Sequence, residues 1–279
     1  MSGTLFVVAT PIGNLGDISK RAADTLAAVP RIAAEDTRRT RALLSHLGVQ
    51  GKTLVTLDAN APERAVNELV DRVAQGEDVA VVTDAGTPSV SDPGSRVVRA
   101  AVERSQRVVV IPGPSAVTAA VALSGLVEGP FSFLGFLPRK GEKRKRAIRR
   151  IVTALEPVVL FEAPARVRDT LAELSAAMPE RQACVARELT KMHEEALRGS
   201  LAELAAQAIT ELGEFTIVVA GAPEPEPEDV EDLDALVLSR LSAGDPPRTV
   251  ADDVASLSGR PRREIYARVL ELRRRLEEG

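Results

Sequence analysis

The 279-residue chain predicts an α/β protein of two sheet-and-helix lobes followed by a small helical domain, and three observations carry that expectation. Short β-branched runs alternate with longer segments of helical period, the pattern of sheets covered by helices. The runs are apolar throughout rather than alternating, as strands buried on both faces require. Late in the sequence "APEPEPED" (residues 222–229) alternates proline with acidic residues and continues neither helix nor strand.

Taken in order, "TLFVVAT", "RIAAED", "KTLVTL", "DVAVVTD" and "RVVVIPG" read as five strands, with amphipathic helices over 62–75 and 94–105 among the segments between them. The pattern changes around "FSFLGFLPRKGEK", after a lobe boundary expected between 112 and 130, and three further strands follow in "EPVVLFEA", "ACVAREL" and "EFTIVVAG". The expected division is a first lobe over 1–115, a second over 116–222, a stiff linker over 223–230 and a helical domain over 231–279. In that last part a helix, a short turn and a basic helix after "GRPRR" resemble a helix-turn-helix. The apolar positions Tyr266, Val269, Leu270 and Leu276 fit a plain packing or dimerisation element equally well.

Composition narrows the chemistry. No apolar run approaches the roughly eighteen residues of a membrane span, and the opening Met-Ser-Gly-Thr lacks the regions of a signal peptide, so a cytoplasmic protein is expected. One cysteine and two histidines provide no metal cluster, and Cys184 in "ACVA" reads as a small buried hydrophobe. Acid–base work therefore falls to Asp, Glu, Lys, Arg, hydroxyls and backbone. A net charge of −4 argues against indiscriminate polyanion binding, yet Arg139, Lys140, Lys143, Arg144, Lys145, Arg146, Arg149 and Arg150 gather on one predicted loop and helix start. That cluster reads either as a solvated helix face or as a phosphate-binding one. With 3% aromatics and no tryptophan, a nucleic acid would be held by its backbone and shape rather than by a stacking platform.

In an α/β sheet, ligands bind beyond the carboxyl ends of the strands. The residues there are Thr10-Pro11-Ile12-Gly13-Asn14, Ala34-Glu35-Asp36-Thr37-Arg38, Asp84-Ala85-Gly86-Thr87-Pro88 and Pro112-Gly113-Pro114-Ser115-Ala116. Glycines at such ends let a ligand approach the backbone, and a carboxylate such as Asp84 accepts from hydroxyls or an amine. Glu35 and Asp36 also sit where a dinucleotide fold keeps its ribose-binding acid, but the first turn has neither the G-x-G-x-x-G spacing nor a P-loop ending.

"TPIGNLGDI", "AEDTRRT", "DAGTPSVSDPG", "PGPSAVTAA", "GFLPRKGEKRKR" and "ARELTK" occur in the order seen in the bacterial 16S ribosomal RNA 2'-O-ribose cytidine methyltransferases. These form a branch of the tetrapyrrole methylase superfamily, and the chain resembles them from residue 4 to about 221. The resemblance implies S-adenosyl-L-methionine in a cleft between two α/β lobes of the tetrapyrrole methylase type, without a metal, in a homodimer. It also implies a substrate: the ribose of a cytidine in the decoding region of 16S rRNA in the small ribosomal subunit. The first turn would then lack a phosphate-binding pattern because this methyl donor carries no phosphate.

Position by position, the resemblance suggests Pro11, Ile12, Asp84, Gly86, Thr87, Ser115 and Ala116 as donor-binding residues, with Phe161 and Glu162 lining the cleft from the second lobe. Glu162 also reads as a charge beside a helix. The candidate catalytic groups are Glu35, Asp36, Glu188 and Lys191, each in a polar cluster at a strand end. Arg38 and Arg187 either orient those carboxylates, grip RNA or form ion pairs with their neighbours. Arg139, Lys140, Lys143, Arg144, Lys145 and Arg146 are the RNA-binding candidates, followed by Arg260, Arg262 and Arg263. After the third strand "LDANAPER" departs from the family pattern, with Asn60 and Glu63 displaced. A tetrapyrrole or protein-side-chain methylase, and a non-enzymatic RNA-binding assembly factor, are the alternative readings.

Overall fold

The computed structural model describes residues 2–88, 94–223 and 233–278, with side chains to 276. Residues 89–93 of the "DAGTPSVSDPG" stretch, and all but the first residue of the expected 223–230 linker, lie outside the described residues.

The first sheet contains β1 (Thr4–Val8), β2 (Arg31–Ala34), β3 (Thr53–Thr56), β4 (Val79–Val82) and β5 (Arg107–Ile111), all parallel in the order β3-β2-β4-β1-β5. Helices α1 (Lys20–Ala28), α2 (Thr37–His46), α3 (Glu63–Ala74) and α4 (Gly94–Glu103) cover it. The uniform apolarity of β4 has a direct cause. Val79 and Val81 pack with Val66, Leu69 and Val97 of α3 and α4, while Ala80 and Val82 pack with Leu26, Leu43 and Leu44 of α1 and α2. Ser19 caps α1 through the Ala22 N–H, and Asp36 caps α2 through the Arg38 N–H.

The second sheet contains β6 (Ser132–Phe136), β7 (Val158–Glu162), β8 (Gln182–Arg187), β9 (Glu195–Ser200) and β10 (Phe215–Val219), in the order β6-β7-β10-β8-β9. Only β6 and β7 run parallel; the other neighbours are antiparallel. Strands β6 and β9, which the sequence patterns did not single out, form its two edges. One face packs against α6 (Gly141–Thr153), α7 (Val167–Ala177) and α8 (Leu201–Ala206), with Ile151, Leu171 and Leu204 against Leu160, Val185 and Ile217. The other face packs against α5 (Ala116–Ser124), where Val117 and Ala120 meet Val159, Cys184 and Val218. Ile12, from the turn after β1, enters this same cluster, so a first-lobe residue completes a second-lobe core. Cys184 is fully buried there, and burial pushes its thiol pKa up.

Two compact units result, Met1–Ala222 and Pro223–Gly279. The second consists of α9 (Leu233–Ser242), α10 (Pro247–Ser258) and α11 (Arg262–Glu278) around Val237, Val250, Val254, Ile265, Val269 and Leu272. Leu276 was expected on the apolar face and does continue the stripe of Ile265, Val269 and Leu272, but it lies one turn beyond the last of these buried positions and is 45% exposed. Arg262 pairs with Asp252 on the surface of the bundle and lies over the Tyr266 ring. Among the described residues no helix is long and apolar enough to cross a membrane.

Candidate active site

Because the first sheet is parallel, the carboxyl ends of its strands share one edge, and the turns beyond them meet there. Hydrogen bonds lace these turns together. The Thr10 N–H donates to the Gly86 carbonyl at 2.9 Å and the Gly86 N–H donates back at 3.1 Å. The Thr87 hydroxyl donates to the Pro114 carbonyl at 3.3 Å, and the Asp36 N–H to the Asp84 carboxylate at 2.9 Å. Gly86 has φ of +84°, which disfavours any side chain, and a Cβ there would stand 3.3 Å from Ile12 Cγ2.

Two adjoining chambers open at this edge. The larger, about 420 Å³, lies between the first-lobe turns and the ends of β7 and β10; the smaller, about 290 Å³, continues past the turn after β1. Ile12, Arg39, Thr83, Asp84, Ala85 and Glu214 border both. Ile12, Asp84, Gly86, Thr87, Ser115 and Ala116 wall the larger chamber from the first-lobe side, with Phe161 and Glu162 opposite them, while Pro11 borders the smaller. The nine residues suggested for the donor are thus brought to one place.

The walls of the larger chamber combine apolar surfaces with concentrated negative charge. Phe161 packs with its ring centroid 4.9 Å from Phe133 and 5.5 Å from Phe136, and Ile12 faces the chamber from the other lobe. Glu162 is buried and fully engaged: it accepts from the Thr170 hydroxyl at 2.6 Å and the Ala163 N–H at 2.8 Å, and pairs with Arg166 at 2.5 Å. Its charge serves the wall. Glu35 differs, since one oxygen accepts from the Thr83 hydroxyl at 3.0 Å and, among the described residues, no cation pairs with it. Among the described residues the one cation paired with Asp84 is Arg39, at 3.6 Å. Apolar surfaces beside undercompensated carboxylates suit a flat ring joined to a cationic centre, so these residues fit an adenosyl sulfonium.

The other catalytic candidates are placed differently. Asp36 borders neither chamber; it caps α2 and receives both Nε and Nη2 of Arg38, whose hydrogen bonds hold its carboxyl at about 2. Glu188 accepts from Lys191 Nζ at 2.8 Å and from the Glu214 N–H at 3.0 Å; the lysine hydrogen bond dominates and holds its carboxyl below the usual range. For Lys191, burial acts to lower the pKa, but hydrogen bonds to Glu188 and Glu214 outweigh it and raise the ammonium above its ordinary value. Lys191 borders the smaller chamber as a firmly protonated group. Its stem lies against the first turn, where a Cβ on Gly13 would stand 2.4 Å from Lys191 Cγ, and the Asn14 N–H donates to Thr190 Oγ1 at 3.1 Å.

Arg187 pairs with Glu195 at 3.0 Å, and Glu63 of the divergent loop pairs with Arg96 at 2.8 Å. Neither Asn60 nor Glu63 borders a chamber. Arg39, Thr83, Gly213 and Glu214 are site residues that the sequence patterns did not single out. Of these, Arg39 carried a signal: with Asp36 capping α2 and retaining Arg38, the second arginine of "AEDTRRT" is the one left to face outward.

Of the basic segment, Arg139, Lys140, Lys143, Lys145 and Arg146 are exposed. Arg144 is not, and its expected RNA contact is corrected here. It lies in register with Ile148 and Ile151 on the buried face of α6, and its guanidinium donates to Glu173 at 2.7 Å, Thr170 at 3.0 Å and the Pro138 carbonyl at 3.2 Å.

The fold and its chambers define a two-lobed methylase. Residues 4–205 match the family model of Tetrapyrrole (Corrin/Porphyrin) Methylases. The fold is shared with a diphthine synthase (TM-score 0.61, 18% identity, covering 78% of this chain and 90% of that one). It is shared also with a uroporphyrin-III C-methyltransferase from Thermus thermophilus complexed with S-adenyl homocysteine (TM-score 0.55, 16% identity, covering 77% and 97%). At the sequence level the chain is 40% identical over 272 residues to the ribosomal RNA small subunit methyltransferase I of Xylella fastidiosa, covering 95% of this chain and 98% of that protein. It is 42% identical over 279 residues to the protein of that name from Mesorhizobium japonicum, covering 99% and 94%. The chain belongs to the tetrapyrrole methylase family of S-adenosylmethionine-dependent methyltransferases, within the branch of ribosomal RNA small subunit methyltransferase I.

Proposed function

We propose that the protein methylates the 2'-hydroxyl of a cytidine ribose in the decoding region of 16S rRNA, acting in the cytoplasm as a homodimer. The observation that carries this reading is the larger chamber, in which Glu35, a carboxylate with no cationic partner among the described residues, stands beside turns that fit an adenosyl sulfonium. When bound, the donor supplies a methyl group on a positively charged sulfur, transferred by in-line displacement. A ribose hydroxyl is a weak nucleophile at neutral pH. Glu35 accepts its proton as the C–O bond forms and the S–C bond breaks, then releases that proton to water, an assistance of about 10²–10⁴-fold. Thr83 orients Glu35 through its hydroxyl. Asp36, Glu188 and Lys191 support the site instead: Asp36 fixes α2, and the Glu188–Lys191 pair braces the first turn from the second lobe. Exposed Arg139, Lys140, Lys143, Lys145 and Arg146 hold RNA backbone.

The test is incubation with labelled methyl donor and small subunits that lack the modification, alongside naked 16S RNA, followed by mass-spectrometric mapping. Label as 2'-O-methylcytidine in the decoding region supports the reading. Label on a base, or on a protein, refutes it. Sedimentation equilibrium at twice the mass of one chain supports the homodimer.

A further inference from the structure

We propose that Arg39 grips the phosphodiester next to the target ribose, at the rim where the two chambers meet; this rests on the reading of RNA as substrate. Its position comes first. Arg39 borders both chambers and so lies between the donor-shaped space and the space continuing beyond Pro11 and Gly13.

Other cations at this edge are already paired. Arg38 donates twice to Asp36, Lys191 is held by Glu188 and Glu214, and Arg187 by Glu195. Among the described residues Arg39 makes a single ion pair, a 3.6 Å approach to Asp84 longer than a charge-assisted hydrogen bond, and its side chain is 62% exposed. Asp84 already accepts the Asp36 N–H on its other oxygen. A pair so long and exposed contributes little, which leaves the planar fork of Arg39 able to take two oxygens of an incoming anion. Glu35 lies in the same wall and would repel an anion, so a cation is needed wherever a phosphate must come near it.

An oxyanion here could come from the RNA backbone or from the carboxylate of the methyl donor, and the test separates them. Arg39→Met and Arg39→Lys are compared with wild type in donor titration calorimetry, in RNA binding over a series of salt concentrations, and in steady-state methylation of small subunits. The expected result for Arg39→Met is RNA binding weakened about tenfold or more, KM raised more than kcat falls, and donor Kd within about twofold of wild type. The slope of log K against log salt should fall by about 0.7–0.9, the contribution of one phosphate. Arg39→Lys should keep the slope, because it keeps the charge, while recovering only part of the affinity. A raised donor Kd with an unchanged slope would assign Arg39 to the donor carboxylate and overturn the proposal, as would both quantities remaining unchanged. If wild type itself neither binds nor methylates ribosomal RNA, the underlying reading fails and takes the proposal with it; if wild type does both, only Arg39 is at issue.

Discussion

The polar clusters at two strand ends, one in each lobe, use the same kinds of residue with opposite results. Beyond β2, Glu35 accepts one neutral hydroxyl and, among the described residues, meets no cation. Beyond β8, Glu188 is held by a lysine ammonium and a backbone N–H, and the lysine is shared with Glu214. What separates them is charge: one carboxylate has a neutral partner, while the other is compensated by an ammonium that also lies against the first turn. Position at a strand end brings a carboxylate to the site, but its immediate partners decide whether its charge is left uncompensated there.

Substitution at the two positions should expose that contrast. Glu35→Gln is expected to lower the single-turnover methylation rate by about 10²–10⁴-fold. Glu188→Gln should cost less than about tenfold, since Lys191 retains Glu214. Equal losses would erase the distinction. The next effect is on the turns themselves: Gly86→Ala forces a side chain onto φ of +84° and towards Ile12, so a loss of about 1–2 kcal/mol in thermal unfolding is expected. Calorimetry should show donor binding about tenfold weaker in the same variant.

The braced cluster has its own signature in pH. The folded-state pKa of Glu188 lies below its ordinary 4.5, so its contribution to stability is present above 4.5 and is lost as pH falls through the folded value. Lys191 lies above its ordinary 10.5, so its contribution is present below 10.5 and is lost as pH rises through the folded value. The stability gap between wild type and Glu188→Gln, from denaturant unfolding, should be flat near neutrality and close on acidification. The smallest effect belongs to Asp36, half-buried and held at about 2 by Arg38: Asp36→Asn should narrow its gap from wild type only between about 4 and 2.

The same distinction between place and partners explains what could be read from the sequence. Strands buried on both faces, such as β4 and β10, announce themselves by composition, because every position needs an apolar side chain. The edges β6 and β9 do not. "EALRGS" carries charge and a glycine on a strand paired on one side only, and "SFLGF" is interrupted by Gly135 at φ of +64° where its register with β7 shifts. The turns gathered at the first sheet's carboxyl edge were legible because they follow buried strands directly and match motifs residue by residue. Arg144 was not, since a charge run gives no phase: only the packing of Ile148 and Ile151 shows that position 144 points inward. Arg39 escaped notice for a related reason. Adjacent arginines on a helix point about 100° apart, and the cap at Asp36 decides which one faces the chambers.

Whether the laced first-lobe turns form the receptor for an adenosyl sulfonium is tested most directly by diffraction from crystals grown with S-adenosylmethionine. The predicted result is donor density in the 420 Å³ chamber, against the turn at Gly86 and the start of α5 at Ser115. Donor density elsewhere on the protein, with that chamber holding only water, would contradict it.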